Sequence, residues 1–355
     1  MESLLTNRIV TVIGAAIDHD AREAIINQFS AFSNSTESDT QSRPHNLSWD
    51  TYFDFYVDQC QYFLARHGIF VTVRTHQDIV DLFLDFHRGL DRQGIKASLS
   101  KRLQHDNTNP APSVPDSVLN STIDLAARLF LMMWVGDVPQ SIASSKGLQW
   151  TQGTITQFVR QRFDVPPCLS CDGVKLPRLF NARNLMRIGG LKLAWTTKLE
   201  DHLRVVDDDE KVKIFCHPSF LMLHRNSGIF PDDFIEETLR TLKLLFPAND
   251  NTLKKWIQSF GPEVDKSLAT CGTLRAELRH IERFRYWRDR LVILKEVFDE
   301  AEPNTLSQWW YDRRKKVQWY TWWLAVLVLI LGSSFGIVQS VEGALQVYKV
   351  FNPGP

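Results

Sequence analysis

The sequence has no net charge and few cysteines. Its 41 Lys and Arg residues balance 41 Asp and Glu residues over 355 positions. A nucleic-acid-binding protein usually shows a basic excess or a basic face, so nucleic acid is not an expected partner. The 5 cysteines, an odd number scattered along a long chain, favour a reducing compartment over a disulfide framework.

Motifs that identify common reactions are also missing from the sequence. It contains no G-x-x-x-x-G-K-[ST] or G-x-G-x-x-G pattern for a phosphate group. Asp201 and His202 could act as an acid-base pair, but no G-x-S-x-G motif lies nearby. A histidine satisfied by structural contacts is therefore the favoured interpretation of His202. No catalytic residue, cofactor or metal is predicted.

Two further groups of residues could in principle bind a metal. Cys168 and Cys171 have the spacing of half a zinc knuckle, and Cys216 with His217 could complete four ligands. A second closely spaced pair would be the stronger signal, so two cysteines in a proline-rich loop are the preferred interpretation. The acidic run 207–210 lacks the alternating ligands and the glycine of an EF-hand, and predicts a solvated turn.

A long uncharged stretch near the C-terminus predicts a membrane span. Residues 317–341 contain no Asp, Glu, Lys, Arg or His. The hydrocarbon core, about 30 Å thick, needs about 20 helical residues, so this stretch is long enough to cross it. Cations and tryptophans lie at its first end, as is typical of a membrane interface. The predicted span is 319–341, and its predicted interface residues are Arg313, Arg314, Lys315, Lys316, Trp319, Trp322 and Trp323.

The cations before the span predict its orientation. Basic residues beside a span tend to remain cytosolic, so we expect a tail-anchored protein with a cytosolic body, in the endoplasmic reticulum membrane. The apolar run 9–17 is short for a signal peptide, and acidic residues follow it at once. Sequons at Asn34, Asn46 and Asn120 would be usable only in the inverted topology.

Small residues recur every fourth position in the predicted span. They are Gly332, Gly336, Ser340 and Ala344, which share one helix face. Small side chains let two helices approach closely in lipid, so the span is predicted to form a homodimer. The alternative is that glycine and serine are simply tolerated in membrane helices.

The body, which is the part of the chain before the juxtamembrane segment at 304–318, is predicted to be mainly α-helical with a small β element. Apolar residues at helical spacing between Ile79 and Phe86 predict a helix that ends before Gly89. Residues 121–137, 151–163 and 231–247 predict further helices.

Alternating apolar residues predict two strands. One contains Leu191, Leu193 and Trp195, and the other contains Val212, Ile214 and Cys216. The residues between them predict a helix that continues through His202. Helices joined to a two-stranded element resemble a winged-helix layout.

A long helix is predicted at 273–300, with an apolar stripe from Leu274 to Phe298. Arg275, Arg279 and Arg283 would form a basic stripe on it, open to lipid phosphate or an acidic partner. An ordinary charged surface is the preferred interpretation of these arginines, since glutamates lie close by.

Composition divides the chain into regions, with the clearest boundary at a segment that holds three prolines. The predicted organisation is a leader and flexible loop at 1–48, an N-terminal helical region at 49–104, a Pro-rich linker at 105–118, a central α+β domain at 119–228, a C-terminal helical region at 229–303, a basic and Trp-containing juxtamembrane segment at 304–318, the span at 319–341 and a short tail at 342–355.

Two motifs and the span carry a resemblance to other proteins. The chain contains W-T-x-x-L-x-D-H-L from Trp195 and E-T-L-x-T-L-x-L-L-F-P from Glu237, followed by the tryptophan-led span. Over roughly residues 120–350 it resembles an uncharacterised group of filamentous-fungal proteins. The resemblance implies a membrane protein, sometimes encoded near specialised-metabolite genes, and it implies no reaction.

Two classes of function are consistent with these features. The first is a membrane-anchored, non-enzymatic interaction or scaffold protein that binds membrane lipid and a protein partner. The second is a transport component, because a helix that enters a C-terminal span is similar to the layout of CorA-type channels. Those channels have two spans and a Gly-Met-Asn loop, which this sequence does not contain, and no ionisable residue marks an ion path in the span.

Overall fold

The computed structural model describes residues 17–31, 49–67, 72–106, 114–136, 147–169, 173–301 and 316–351. As predicted, these residues are mainly α-helical, with one small sheet and a long apolar helix near the C-terminus. The α-helices are α1 His19–Ala31, α2 Asp50–His67, α3 His76–His87, α4 Arg92–Asp106, α5 Asp116–Leu131, α6 Ile155–Phe163, α7 Ala182–Arg187, α8 Pro218–Leu223, α9 Phe234–Leu245, α10 Asn251–Gln258, α11 Arg288–Glu300 and α12 Lys316–Phe351. Short 3₁₀ helices lie at Leu199–Asp201, His224–Asn226, Lys266–Thr270, Ala276–Arg279 and Ile281–Arg283.

Local sequence explains where several helices begin and end. The Thr75 hydroxyl accepts a hydrogen bond from the N–H of Asp78, and the Asp78 carboxylate accepts one from the N–H of Thr75. Thr154 and Gln157 form the same reciprocal cap at α6. Such caps satisfy backbone donors that the first turn leaves free. Gly89 follows α3 with a φ of +70°, a conformation that glycine adopts without steric cost.

The sheet contains both predicted strands and one more. β1 (Lys192–Thr196) pairs in parallel with β3 (Lys211–Phe215), and β2 (Arg204–Val206) pairs with β3 in antiparallel fashion, giving the order β1-β3-β2. β2 arises because the loop 207–210 folds the chain back on itself. The winged-helix comparison assumes two strands, so it does not describe this three-stranded sheet with a parallel pair.

The predicted helix through His202 is shorter than expected. Only a 3₁₀ helix forms, at Leu199–Asp201, because Leu203 adopts a left-handed φ of 60°. The N–H of Leu203 donates to the carbonyl of Lys213 at 2.8 Å, which directs the chain into the sheet.

The prediction of one long helix at 273–300 is wrong over its first half, where α11 begins only at Arg288. The N–H of Leu176 donates to the carbonyl of Arg279 at 2.8 Å, which draws that part of the chain toward an extended conformation. Further along, the Glu237 carboxylate accepts the backbone N–H groups of residues 285–287, each at 2.8 Å. These groups are therefore not available for helical hydrogen bonds.

Buried apolar side chains of the body form one cluster that runs from Ile17 to Phe298. Near its centre the ring of Phe130 stacks on Phe29 at 5.6 Å and contacts Phe83 at 5.0 Å. Phe29 belongs to α1, so this part of the predicted leader is packed into the core. The finer division of the chain into regions stays a prediction.

Candidate functional site

The candidate functional site is α12, the helix suited to a membrane. It has 36 residues and is about 54 Å long at about 1.5 Å per residue. Its segment Trp319–Lys349 is long and apolar enough to cross a membrane, and the most apolar part of this segment is not buried. The core helix of a soluble protein would be buried, so this exposed apolar surface favours lipid surroundings.

Hydroxyl groups within α12 find partners on the helix itself. Thr321 donates to the carbonyl of Val317 at 2.9 Å, and Ser334 donates to that of Ile330 at 2.8 Å. Ser340 makes the same bond to the carbonyl of Gly336 at 2.8 Å. A polar group without a partner is costly in hydrocarbon, so these bonds make the hydroxyls compatible with a bilayer.

The aromatic residues predicted for the membrane interface lie together at the first end of α12. The Trp322 and Trp323 rings meet edge to face at 4.7 Å, and Trp319 lies 6.1 Å from Trp323. Lys316 is the first residue of the helix. Outside the described residues lie Arg313, Arg314 and Lys315. Trp rings and cations at one end of a span are typical of an anchor at the headgroup level.

The predicted association face is open along α12. A Cβ atom added to Gly332 or Gly336 would meet nothing within 4 Å. Ser340 and Ala344 continue the same face toward the end of the helix, at the helical spacing of four. The face therefore offers a shallow surface on which a second helix could pack closely.

Asp201 and His202 have separate sets of contacts. The Asp201 carboxylate accepts from Lys213 Nζ at 3.0 Å and from Arg204 Nη1 at 3.2 Å. These hydrogen bonds and charges lower the pKa of Asp201, although burial opposes them. Asp201 therefore ties the 3₁₀ helix to β2 and β3.

His202 links the two sequence motifs that begin at Trp195 and Glu237. Its Nδ1 accepts from the N–H of Phe215 at 3.2 Å, so we assign the proton to Nε2, which donates to Thr241 Oγ1 at 2.7 Å. Thr241 lies in α9, within the second motif. Burial, with Arg290 nearby, lowers the pKa of His202 to about 3, which keeps the imidazole neutral near pH 7. These contacts hold the fold together.

The second motif also holds the start of α11. Trp287 Nε1 donates to Thr238 Oγ1 at 2.8 Å, and Glu237 accepts the backbone N–H groups of residues 285–287. Burial raises the pKa of Glu237, and the three backbone hydrogen bonds oppose that rise. Sequence patterns mark Glu237 only as an acidic residue in the first turn of α9. The partners of its carboxylate appear only in the structure.

The cysteines and histidine considered for zinc lie in different environments. Cys168 is exposed, Cys216 and His217 are buried, and Cys171 lies outside the described residues. Burial raises the pKa of the Cys216 thiol to about 12 and lowers the pKa of His217 to about 3. A thiol of such high pKa is a poor nucleophile. Among the residues the structure describes, no group of three His, Cys, Asp or Glu side chains could hold a metal.

The acidic run 207–210 forms the exposed loop between β2 and β3. Lys211 Nζ lies 2.5 Å from the Asp207 carboxylate, and Lys192 Nζ lies 2.8 Å from that of Glu210. Lysines of the neighbouring strands thus neutralise both ends of the loop.

The predicted arginine stripe does not form. Arg275, Arg279 and Arg283 would share a face only in a continuous helix, and this segment consists of two 3₁₀ helices joined by an extended residue. The Arg279 side chain instead lines a cleft with residues from other parts of the chain.

Comparison of the chain with protein-family models, curated proteins and solved structures finds no match. The described residues thus offer one helix that could span a membrane and a body with a buried apolar core.

Proposed function

We propose that the protein is a membrane-anchored, non-enzymatic interaction or scaffold protein. The observation that carries this proposal is α12, an exposed apolar helix that follows a body with its own buried core. A body of this kind has no need of a further apolar helix for its stability, so the helix serves to hold it at a membrane. The resemblance to fungal membrane proteins supports the same architecture, and a role accessory to a specialised-metabolite gene cluster belongs to this proposal.

The body is proposed to face the cytosol, with the anchor in the endoplasmic reticulum membrane. Lys316 and the cations before it precede the span, whereas the far end of α12 offers Glu342 and Lys349. A basic flank favours the cytosolic side. Each such cation near anionic lipid would add about 1 kcal/mol of attraction.

Proximity labelling tests orientation and scaffolding together. A labelling enzyme fused to the N-terminus of the full chain should tag cytosolic proteins, at least one of which should remain bound after mild detergent extraction. A matched fusion that contains only residues 302–355 should reach the same membrane and lose that partner, because the body is absent. Tagging of lumenal proteins would refute the orientation, and an identical set of partners for both fusions would refute the scaffold role.

The alternative function, a transport component, can be tested by measuring ion flux. The full chain reconstituted in liposomes should leave a magnesium or proton gradient unchanged. Ion flux in liposomes that contain the protein, and not in empty liposomes, would favour the transport hypothesis over the scaffold proposal.

The association face of α12 is proposed to form a homodimer. Gly336→Ile should weaken association of the span about tenfold in a membrane-based dimerisation assay, because a branched side chain would separate the two helices. Ser334→Ile is the matched control, since residue 334 lies on the opposite side of the helix, and it should leave association unchanged. Equal association of the Gly336→Ile span and the native span would show that the anchor acts as a monomer.

A further inference from the structure

A cleft of about 540 Å³ lies on the body, and Arg279 is one of its lining residues. It is formed by the start of α7, the end of α9, the start of α10 and the segment that leads into the 3₁₀ helix Ala276–Arg279. Small-molecule sites commonly have volumes of about 300 to 1,000 Å³. The cleft is thus large enough for an organic ligand and not only for a single ion.

The residues that line the cleft carry an excess of positive charge. Its lining contains four cations, Arg178, Arg183, Lys243 and Arg279, and a single carboxylate, Asp250. Arg183 lies 3.6 Å from that carboxylate, so one cation is paired within the cleft. Asp250 also caps α10 by accepting the N–H groups of residues 252 and 253, each at 3.0 Å. The Asp250 carboxylate therefore already has partners within the protein.

The other three cations have no ion-pair partner among the residues that the structure describes. Arg279 shows this most clearly, because its Nε is buried and makes no hydrogen bond within the described part of the chain. Its backbone is fixed, since its carbonyl accepts from Leu176 at 2.8 Å. Like charges held around a concave surface raise the free energy of the folded state unless an anion compensates them.

The remaining lining suits the organic part of a ligand. Phe180 and Leu244 are buried in the core beneath the cleft, and Asn249 and Asn251 are exposed at its edge. Amides donate and accept hydrogen bonds, so they can contact hydroxyl groups or a headgroup. The guanidinium groups of Arg178 and Arg279 match the geometry of phosphate oxygens, and Lys243 adds a third positive charge.

We propose that this cleft binds an organic phosphate with at least two negative charges. The shared chemistry is a phosphomonoester or pyrophosphate group held by Arg178, Lys243 and Arg279, and it could come from a soluble metabolite or from a lipid headgroup. The inference is independent of the scaffold role, because it depends on the body alone.

Binding of inorganic pyrophosphate tests the site. The full chain, in nanodiscs of phosphatidylcholine, should bind one pyrophosphate per chain in a calorimetric titration, with lower affinity at higher salt because screening weakens the attraction. Arg279→Gln and Lys243→Gln should each weaken binding at least tenfold. Lys255→Gln is the control, since Lys255 is exposed on α10 and does not line the cleft, and it should change affinity less than twofold.

The variants should fold normally, because neither side chain loses an ion pair with any residue that the structure describes. We expect melting temperatures within about 2 °C of the native chain, as for ordinary surface substitutions. Absence of saturable binding by the native chain would overturn the proposal. Equal affinity of the native chain and both cleft variants would overturn it as well.

Lipid composition then separates the two sources of phosphate. Nanodiscs with phosphatidic acid, a phosphomonoester, should reduce pyrophosphate affinity about tenfold relative to nanodiscs with the phosphodiester phosphatidylglycerol if the cleft takes a lipid headgroup. Equal affinity in the two lipids would assign the cleft to a soluble phosphate. Either result retains the phosphate site and identifies its ligand source.

Discussion

Glu237→Ala is expected to lower the free energy of unfolding by about 4 kcal/mol. The native carboxylate is buried and accepts three backbone N–H groups from residues 285–287, each at 2.8 Å. A hydrogen bond to a charged group contributes about 1.5 to 3 kcal/mol, and each buried donor left without a partner costs about 1 to 3 kcal/mol. The loss should therefore be near the upper end for single substitutions. Urea denaturation of the full chain in detergent measures it.

Two matched variants isolate the contribution of these hydrogen bonds. Glu237→Gln retains one carbonyl oxygen, which can still accept from residues 286 and 287, so it should cost less than alanine. Glu236→Ala changes the neighbouring residue of the same helix, whose carboxylate is partly exposed and pairs with Arg225. An exposed ion pair contributes about 1 kcal/mol or less. Similar losses for Glu236→Ala and Glu237→Ala would contradict the role given to Glu237.

Features set by local sequence were predictable. The long apolar helix α12 follows from an uncharged stretch longer than a bilayer needs, and α3 follows from apolar residues at helical spacing before Gly89. The acidic loop 207–210 follows from a run of charge between two apolar strands. In each case the physical cause lies within about twenty consecutive residues, where periodicity and turn chemistry can be read directly.

Features set by distant contacts were not predictable. The segment before α11 has a helical pattern, yet Glu237, 48 to 50 positions away, takes its backbone donors. The cleft combines Arg178, Lys243 and Arg279, which belong to separate segments. In the sequence Arg279 lies four residues from Arg275 and from Arg283, and this spacing predicts a stripe only if the segment is helical. The fold breaks that helix and brings Arg279 to the other cations.

The second large effect is a loss of folding stability at acidic pH. His202, His217 and His224 are buried among aromatic rings, with Trp287, Phe215 and Phe220 at 4.9, 5.3 and 4.6 Å respectively. Burial lowers the pKa of each to about 3. In an unfolded chain an imidazole has a pKa of about 6.5. The folded protein therefore holds these three imidazoles neutral at a pH where the unfolded chain would protonate them.

The direction of the pH effect follows from the number of protons bound. Between about pH 6.5 and pH 3 the unfolded chain binds more protons than the folded chain, so stability falls as the pH falls. Each histidine contributes a slope of about 1.4 kcal/mol per pH unit, so three contribute about 4 kcal/mol per unit well inside this window. Buried Glu200, Glu237 and Asp265 act in the opposite sense, because burial raises the pKa of each carboxyl group. Above pH 7 the histidine contribution is fully present.

His217→Phe should remove one third of this histidine effect. The His217 ring already contacts the rings of Phe55 and Phe215, so phenylalanine suits its surroundings. Its Nε2 is buried and makes no hydrogen bond within the described residues, so the substitution removes a polar atom without breaking a bond at that nitrogen. We expect the variant to be at least as stable as the native chain at pH 8 and to gain about 2 kcal/mol relative to it on acidification to pH 5. Urea denaturation of both full chains from pH 8 to pH 5 measures this difference. Parallel stability curves over that range would show that His217 is not held neutral by the fold.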